Sequence, residues 1–162
     1  MTRYTIDERN TTAETSLNLY RAAVKWAAQR GNRFEMRLER RLYSDMDKLN
    51  RLIALGETTP APAEKVFGES SWPVFVKGIP GADLARELTN SCAPADDLSG
   101  DVSPAEDLSI YWNERRIYAA FDYGSTQLFE LTDDELGSLR ETFAAEGLNT
   151  AYLVPAPEAH KV

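Results

Sequence analysis

Leu17, Tyr20, Val24 and Ala27 recur at spacings of three and four residues, so they share one face of a helix. Thr11 followed by Glu14 has the spacing of a capping box for its start, and Gly31-Asn32 supplies a left-handed stop. Leu19 and Trp26 lie off that face, which implies a helix buried on more than one side or one with an apolar edge for a partner. A second helical pattern runs over residues 34–55, where Leu38, Leu42, Met46, Leu49 and Ile53 are separated by four, four, three and four residues. Gly56 ends it. Thr58, Thr59, Pro60, Ala61, Pro62 and Ala63 read as an extended linker, because each proline disfavours helix in the residue before it. Residues 12–56 are therefore expected to form an antiparallel helical pair, with 57–66 a linker.

Beyond the linker the period changes. Residues 73–77 read as a strand, Gly78-Ile79-Pro80-Gly81 as a turn, and 82–89 as a short helix with Leu84 and Leu88 inward. Residues 90–107, poor in apolar side chains, are expected to be a mobile acidic loop. Residues 109–123 fit two strands joined by a turn at Asn113-Glu114-Arg115-Arg116, and 127–131 a third. With 113–116 as the loop, Trp112 opposes Ile117 and Ile110 opposes Ala119 on the core face, together with Phe121 and Tyr123. Tyr111 and Tyr118 then pair on the other face beside Arg115 and Arg116; a register slip exchanges the two faces. Thr132 and Glu135 repeat the capping-box spacing ahead of a helix with Leu136, Leu139 and Phe143 on one side, and 149–154 reads as a last strand. The expected class is α+β: an N-terminal helical pair packed with a small, mainly antiparallel sheet and a C-terminal helix. Residues 1–156 form one domain, with 67–156 its α+β part and 157–162 a flexible tail.

Composition adds limits. At 162 residues, 43% hydrophobic and 27% charged, the chain is long enough to bury a core without disulfides or metal. It has no apolar run near the roughly 18 residues of a membrane span, and charges occupy the N-terminus where a secretory peptide has its apolar stretch. A cytoplasmic protein with no membrane partner is the expectation, and the single cysteine, Cys92, fits a reducing compartment. The net charge of -8 averages two unlike parts, +3 over residues 1–57 and -11 over 58–162.

Catalytic and cofactor chemistry finds little to work with. His160 is the only histidine and lies third from the end, so neither a nucleophilic triad nor a zinc set is expected. Asp133, Asp134 and Glu135 suit the first turn of a helix, while Asp96, Asp97 and Asp101 lack the ligand pattern of a calcium loop. Gly78-Ile79-Pro80-Gly81 lacks the lysine and glycines of a phosphate-binding loop. No cofactor or metal is expected.

The arginines are the sharper feature. Arg30, Arg33, Arg37 and Arg40 have no acidic residue three or four positions away. On a helix, Arg33, Arg37, Arg40, Arg41, Lys48 and Arg51 would project within an arc of about 100°. Arg41 and Lys48 reach Asp45 and Arg51 reaches Asp47, so only the start of that strip lacks local partners. Its neutralisation must come from the acidic part of the same chain, from water, or from an external anion. The functional expectation is a non-enzymatic interaction or regulatory module that binds an acidic protein surface or a second copy of itself. Arg30, Arg33, Arg37, Arg40 and Arg41 are the candidate contacts, with Tyr111, Arg115, Arg116 and Tyr118 of the hairpin. A nucleic-acid binder using the arginine strip is one alternative, and a small carboxylate-dependent hydrolase another.

Overall fold

A computed structural model describes residues 1–60, 64–66, 68–91 and 103–158. In chain order its elements are β1 (Thr2–Ile6), α1 (Ala13–Arg30), β2 (Arg33–Glu39), a 3-10 turn (Arg40–Leu42), α2 (Met46–Ile53), β3 (Glu57–Pro60), β4 (Glu64–Val66), β5 (Glu69–Ser71), β6 (Pro73–Gly78), α3 (Ala82–Ser91), β7 (Asp107–Trp112), β8 (Arg115–Phe121), β9 (Thr126–Leu131), α4 (Asp133–Ala145) and β10 (Leu153–Pro155). Eight strands form one sheet in the order β10-β1-β9-β8-β7-β2-β6-β3, and β4 and β5 form a separate hairpin. Every pairing is antiparallel. The class is α+β as expected, but the sheet is the dominant layer rather than a small one.

The largest correction concerns residues 34–55. No continuous helix spans them: residues 33–39 are β2, in the middle of the sheet between β6 and β7, and within 34–55 the α-helix is confined to the short α2. Arg33-Phe34-Glu35-Met36-Arg37-Leu38-Glu39 alternates charged and apolar residues without a break, and that period of two matches a strand with one buried face. Phe34, Met36 and Leu38 are buried on the inner face. The helical stripe drawn through Leu38, Leu42 and Met46 joined a strand to a turn and a helix start; Leu42 and Met46 are exposed, while Leu49 and Leu52 carry the buried side of α2. The helical pair is therefore interrupted by a strand, and α2 packs on α3. The expected linker also contains structure, since β3 pairs with β6 and β4 with β5. Residues 61–63 of it lie outside the described residues.

Helix α1 is the hub of the helical layer. It packs against α3, α4 and β7, and its buried residues include Leu17, Leu19, Tyr20, Val24 and Trp26, so it is enclosed on more than one side. Trp26 meets the Phe129 ring edge-on at 6.4 Å between centroids and donates its indole N–H to Ser138 of α4 at 3.2 Å. Thr12, not Thr11, caps α1 by accepting from the Thr15 amide. Gly31 does not close it in a left-handed turn, for its φ is -74°. Glycine is needed there for space, because a Cβ would lie 2.3 Å from Ile110 Cγ2. Thr132 and Glu135 form the expected capping box of α4, with both hydrogen bonds in place.

Gly56 has a similar role at the entry to β3. A Cβ on it would stand 2.2 Å from the Lys77 carbonyl oxygen and 2.8 Å from its carbon, so β3 and β6 must move apart to admit one. Gly56→Ala is expected to destabilise the protein by about 2 kcal/mol. Urea denaturation checks this; an unchanged midpoint contradicts the close β3–β6 approach.

Candidate functional site

The pleat divides the sheet into two chemically different faces. Phe34, Met36, Leu38, Val74, Val76, Leu108, Ile110, Tyr118, Ala120, Phe129 and Leu131 are buried on the inner face, which meets the helices. Alternation sends Arg33, Glu35 and Arg37 of β2, Phe75 and Lys77 of β6, Asp107, Ser109 and Tyr111 of β7, Phe121 of β8 and Leu128 and Glu130 of β9 the other way. Three shallow hollows lie along this outer face. One of about 270 Å³ is floored by β2, β6, β7 and β8; one of about 540 Å³ lies among Met1, Tyr111, Glu114, Arg115, Arg116 and Glu130; one of about 90 Å³ lies between Arg3, Arg116 and Glu130.

Arginines on this face are laid over aromatic rings. Arg33 stands 4.0 Å from the Tyr111 ring centroid, Arg37 5.6 Å from Phe75 and Arg116 5.4 Å from Phe121. Two of the three are also ion-paired. Arg33 Nη1 donates to Glu35 Oε1 at 2.7 Å, and Arg37 Nε to Glu106 Oε2 at 2.7 Å. Lys77 Nζ lies 3.7 Å from the same Glu35 Oε1, and Arg3 lies 4.0 Å from Glu130. Burial raises the Asp107 carboxyl above its ordinary range; Arg37 opposes that shift and the nearby Asp122 charge adds to it.

A β-bulge decides where the arginine doublet goes. Between Ile110 and Tyr111 the register shifts, so that Ile110 opposes Tyr118 while Tyr111 opposes Arg116. The extra residue, Ile117, is buried in the core beside Tyr118. Arg116 is thereby turned outward next to Tyr111, and Arg115 inward to α4. There Arg115 makes a bidentate pair with Glu135 at 2.8 and 2.6 Å and donates to the Glu130 carbonyl at 2.7 Å. The turn of the hairpin is the pair Asn113-Glu114, with φ of 53° at Asn113, rather than the four residues expected.

The sequence candidates thus separate. Arg33, Arg37, Tyr111 and Arg116 come together on the open face. Arg30 goes to the helical layer, where it donates to Ser138 Oγ at 2.6 Å and lies 5.5 Å from the Trp26 ring. Arg40 is exposed on the 3-10 turn, and Arg41 lies 3.7 Å from the buried Glu39. Tyr118 is not on the outer face: it is fully buried, packed on Phe129 at 5.1 Å, and donates to Gln127 Oε1 at 2.9 Å. Trp112, expected inside, is 47% exposed. The bulge reverses the side on which Tyr118 falls, because an unbroken alternation cannot anticipate one inserted residue. Trp112 keeps the parity of Ile110 but lies in the last pair before the turn, at the end of β7. Phe121, expected on the core face, lies on the open face, because the inserted Ile117 reverses the alternation along β8. Phe75, Glu106 and Asp107 are not singled out by the sequence; Phe75 carries a signal only in the two-residue spacing of its strand.

Cys92, His160, Asp96, Asp97 and Asp101 lie outside the described residues. Of the expected loop at 90–107, residues 92–102 lie outside the described residues; residues 90 and 91 complete α3, Asp107 opens β7, Ser103 and Ala105 are buried, and Ser103 Oγ lies 2.7 Å from the Tyr20 hydroxyl. Among the described residues there is no group of three or more His, Cys, Asp or Glu side chains placed to hold a metal ion, and no helix is long and apolar enough to cross a membrane. Comparison with protein-family models, curated proteins and solved structures finds no match to this chain.

Proposed function

We propose that this protein is a binding module that holds another protein against the open face of its sheet. The observation that carries this reading is the set of three arginine–aromatic pairs, Arg33 on Tyr111, Arg37 on Phe75 and Arg116 on Phe121, on a face that the helices leave uncovered. Rings give contact area at low entropic cost, and guanidinium groups already resting on them lose little freedom when they bind, which is the usual make-up of an interface anchor. The alternation of signs also suits a protein surface. Lys77, Glu35 and Arg33 form a chain of opposite charges across β6 and β2, so a partner of mixed charge meets complementary groups without a large net field. Single-stranded nucleic acid fits less well, because the ring faces on which bases would stack already carry guanidinium groups and the chain is at -8.

A photoreactive residue placed at Ser109 or Thr59, both on the open face, should give a discrete cross-linked product in the native cell. The same residue at Glu141, exposed on α4, should not. Reversing Arg33 and Arg37 to glutamate should reduce the open-face product at least about tenfold, on the scale of losing hydrogen-bonded charge pairs at an interface. A product of twice the chain's mass identifies a second copy as the partner. Cross-links confined to Glu141, or a nucleic-acid adduct at Ser109, would refute the proposal.

A further inference from the structure

We infer that Arg116 is the point at which the open face takes a single carboxylate, an aspartate or glutamate side chain of the bound protein. The inference rests on the reading of the open face as a protein-binding surface and adds to it the chemistry of one contact. Among the described residues Arg116 alone lines all three of these hollows. Its neighbours in kind are already matched: Arg33 by Glu35, Arg37 by Glu106, Arg115 by Glu135, and Arg3, more distantly, by Glu130. Among the described residues no carboxylate lies within ion-pair distance of Arg116, although its side chain is held by the Phe121 ring at 5.4 Å. Arg116 makes no hydrogen bond among the described residues, so its N–H edge, the fork that fits a carboxylate with two parallel hydrogen bonds, is free.

The bulge is the independent observation. It gives up regular pairing at one position of an otherwise continuous β7–β8 ladder, and its effect is to turn Arg116 from the helical side to the open side. Bulges re-aim side chains in this way next to binding sites. Charge then selects among anions. Glu114 and Glu130 line the 540 Å³ hollow with Arg116 and with Arg115, which is already paired with Glu135, so a doubly charged phosphate meets about twice the repulsion from the two glutamates that a singly charged carboxylate meets. The same two glutamates favour a basic residue beside the carboxylate in the bound segment.

The test uses two blocked peptides, Lys-Val-Glu-Val-Lys and Lys-Val-Gln-Val-Lys, which differ only in the carboxylate. Each is titrated into the nitrogen-15-labelled full chain, following the Arg116 Nε–Hε and Tyr111 amide resonances. The glutamate peptide is expected to shift both saturably, at least about tenfold more tightly than the glutamine peptide. Arg116→Gln should bring the two peptides to the same weak affinity with the rest of the spectrum unchanged, and Arg116→Lys should recover only part of the difference, since an ammonium lacks the fork. Equal affinity for the two peptides, or glutamate-dependent binding that survives Arg116→Gln, overturns the inference and leaves the open-face reading to its own cross-links. No shift at Arg116 with millimolar peptide also overturns it. Competition by inorganic phosphate as strong as by acetate overturns the carboxylate assignment.

Discussion

Phe34→Ala is expected to lower the free energy of unfolding by about 4 kcal/mol. The side chain is fully buried, and its ring lies so close to Gly78 that a Cβ there would be 2.8 Å from Phe34 Cε1. Because β6 and β7 hold β2 from both sides, the layer has little room to close over the lost volume, and the cavity adds to the lost transfer energy. Arg33→Ser, one residue away on the opposite face, removes an exposed ion pair and a ring contact and should cost no more than about 1 kcal/mol. Urea denaturation of the two variants separates the strand from the helical alternative. If residue 34 opened a surface helix, the two would cost similar amounts, and such a result would contradict the central place of β2.

Glu135→Ala carries the second large effect, about 3 kcal/mol. One carboxylate does two jobs here: it receives both arms of Arg115, with side chains only 18% and 15% exposed, and it accepts from the Thr132 amide at the start of α4. Its removal leaves the Arg115 guanidinium partly buried with a single acceptor, the Glu130 carbonyl. The hydrogen bond from Arg115 is the main cause that holds the Glu135 carboxyl below its ordinary 4.5, against an opposing push from burial. A carboxyl whose folded value is depressed adds stability above its unfolded value and loses it as the pH falls through the folded one. Thermal unfolding of wild type and Glu135→Gln should therefore differ at neutral pH and converge as acid is added below about pH 4. Parallel curves down to pH 2 would show that the pair contributes nothing.

Several elements are legible in the sequence because their signal is local. Helix α4 follows from Thr132, Glu135 and Gly147, β6 from Val74 and Val76, α3 from Leu84 and Leu88, and the β7–β8 hairpin with β9 from aromatic and β-branched runs around turn residues. Two kinds of element escaped. Strand β1 is Thr-Arg-Tyr-Thr-Ile, with one buried residue, Ile6; its pairing with β9 and β10 brings in partners more than 120 positions away. In β2 the apolar residues satisfy two periods at once, because Leu38 belongs to the alternation behind it and to the spacing of four ahead of it. The alternation of seven residues was the stronger pattern, and the missing acidic partners were its by-product: Glu35 and Glu39 sit two positions from the arginines, adjacent on a strand and on different sides of a helix.

The helical period nonetheless points to part of the site. Arg33 and Arg37, unpaired charges if the segment is a helix, lie on the open face of the sheet with carboxylate partners from both parts of the chain. The position of Arg116 beside them was beyond local reasoning, since it depends on how many residues β8 spends opposite β7.

The doublet Arg115-Arg116 has a consequence for how the hairpin finds its alignment. Shifting β8 by one residue without the bulge would still offer one guanidinium to Glu135 and one to solvent, so the ion pair is indifferent to that error. The apolar side is not: without the bulge Arg116, Tyr118 and Ala120 share one face, so either Tyr118 and Ala120 turn outward with Arg116 or Arg116 is driven toward the core with them. Alignment of the two strands is therefore decided by what must stay dry, and the charges tolerate whichever alignment the core selects.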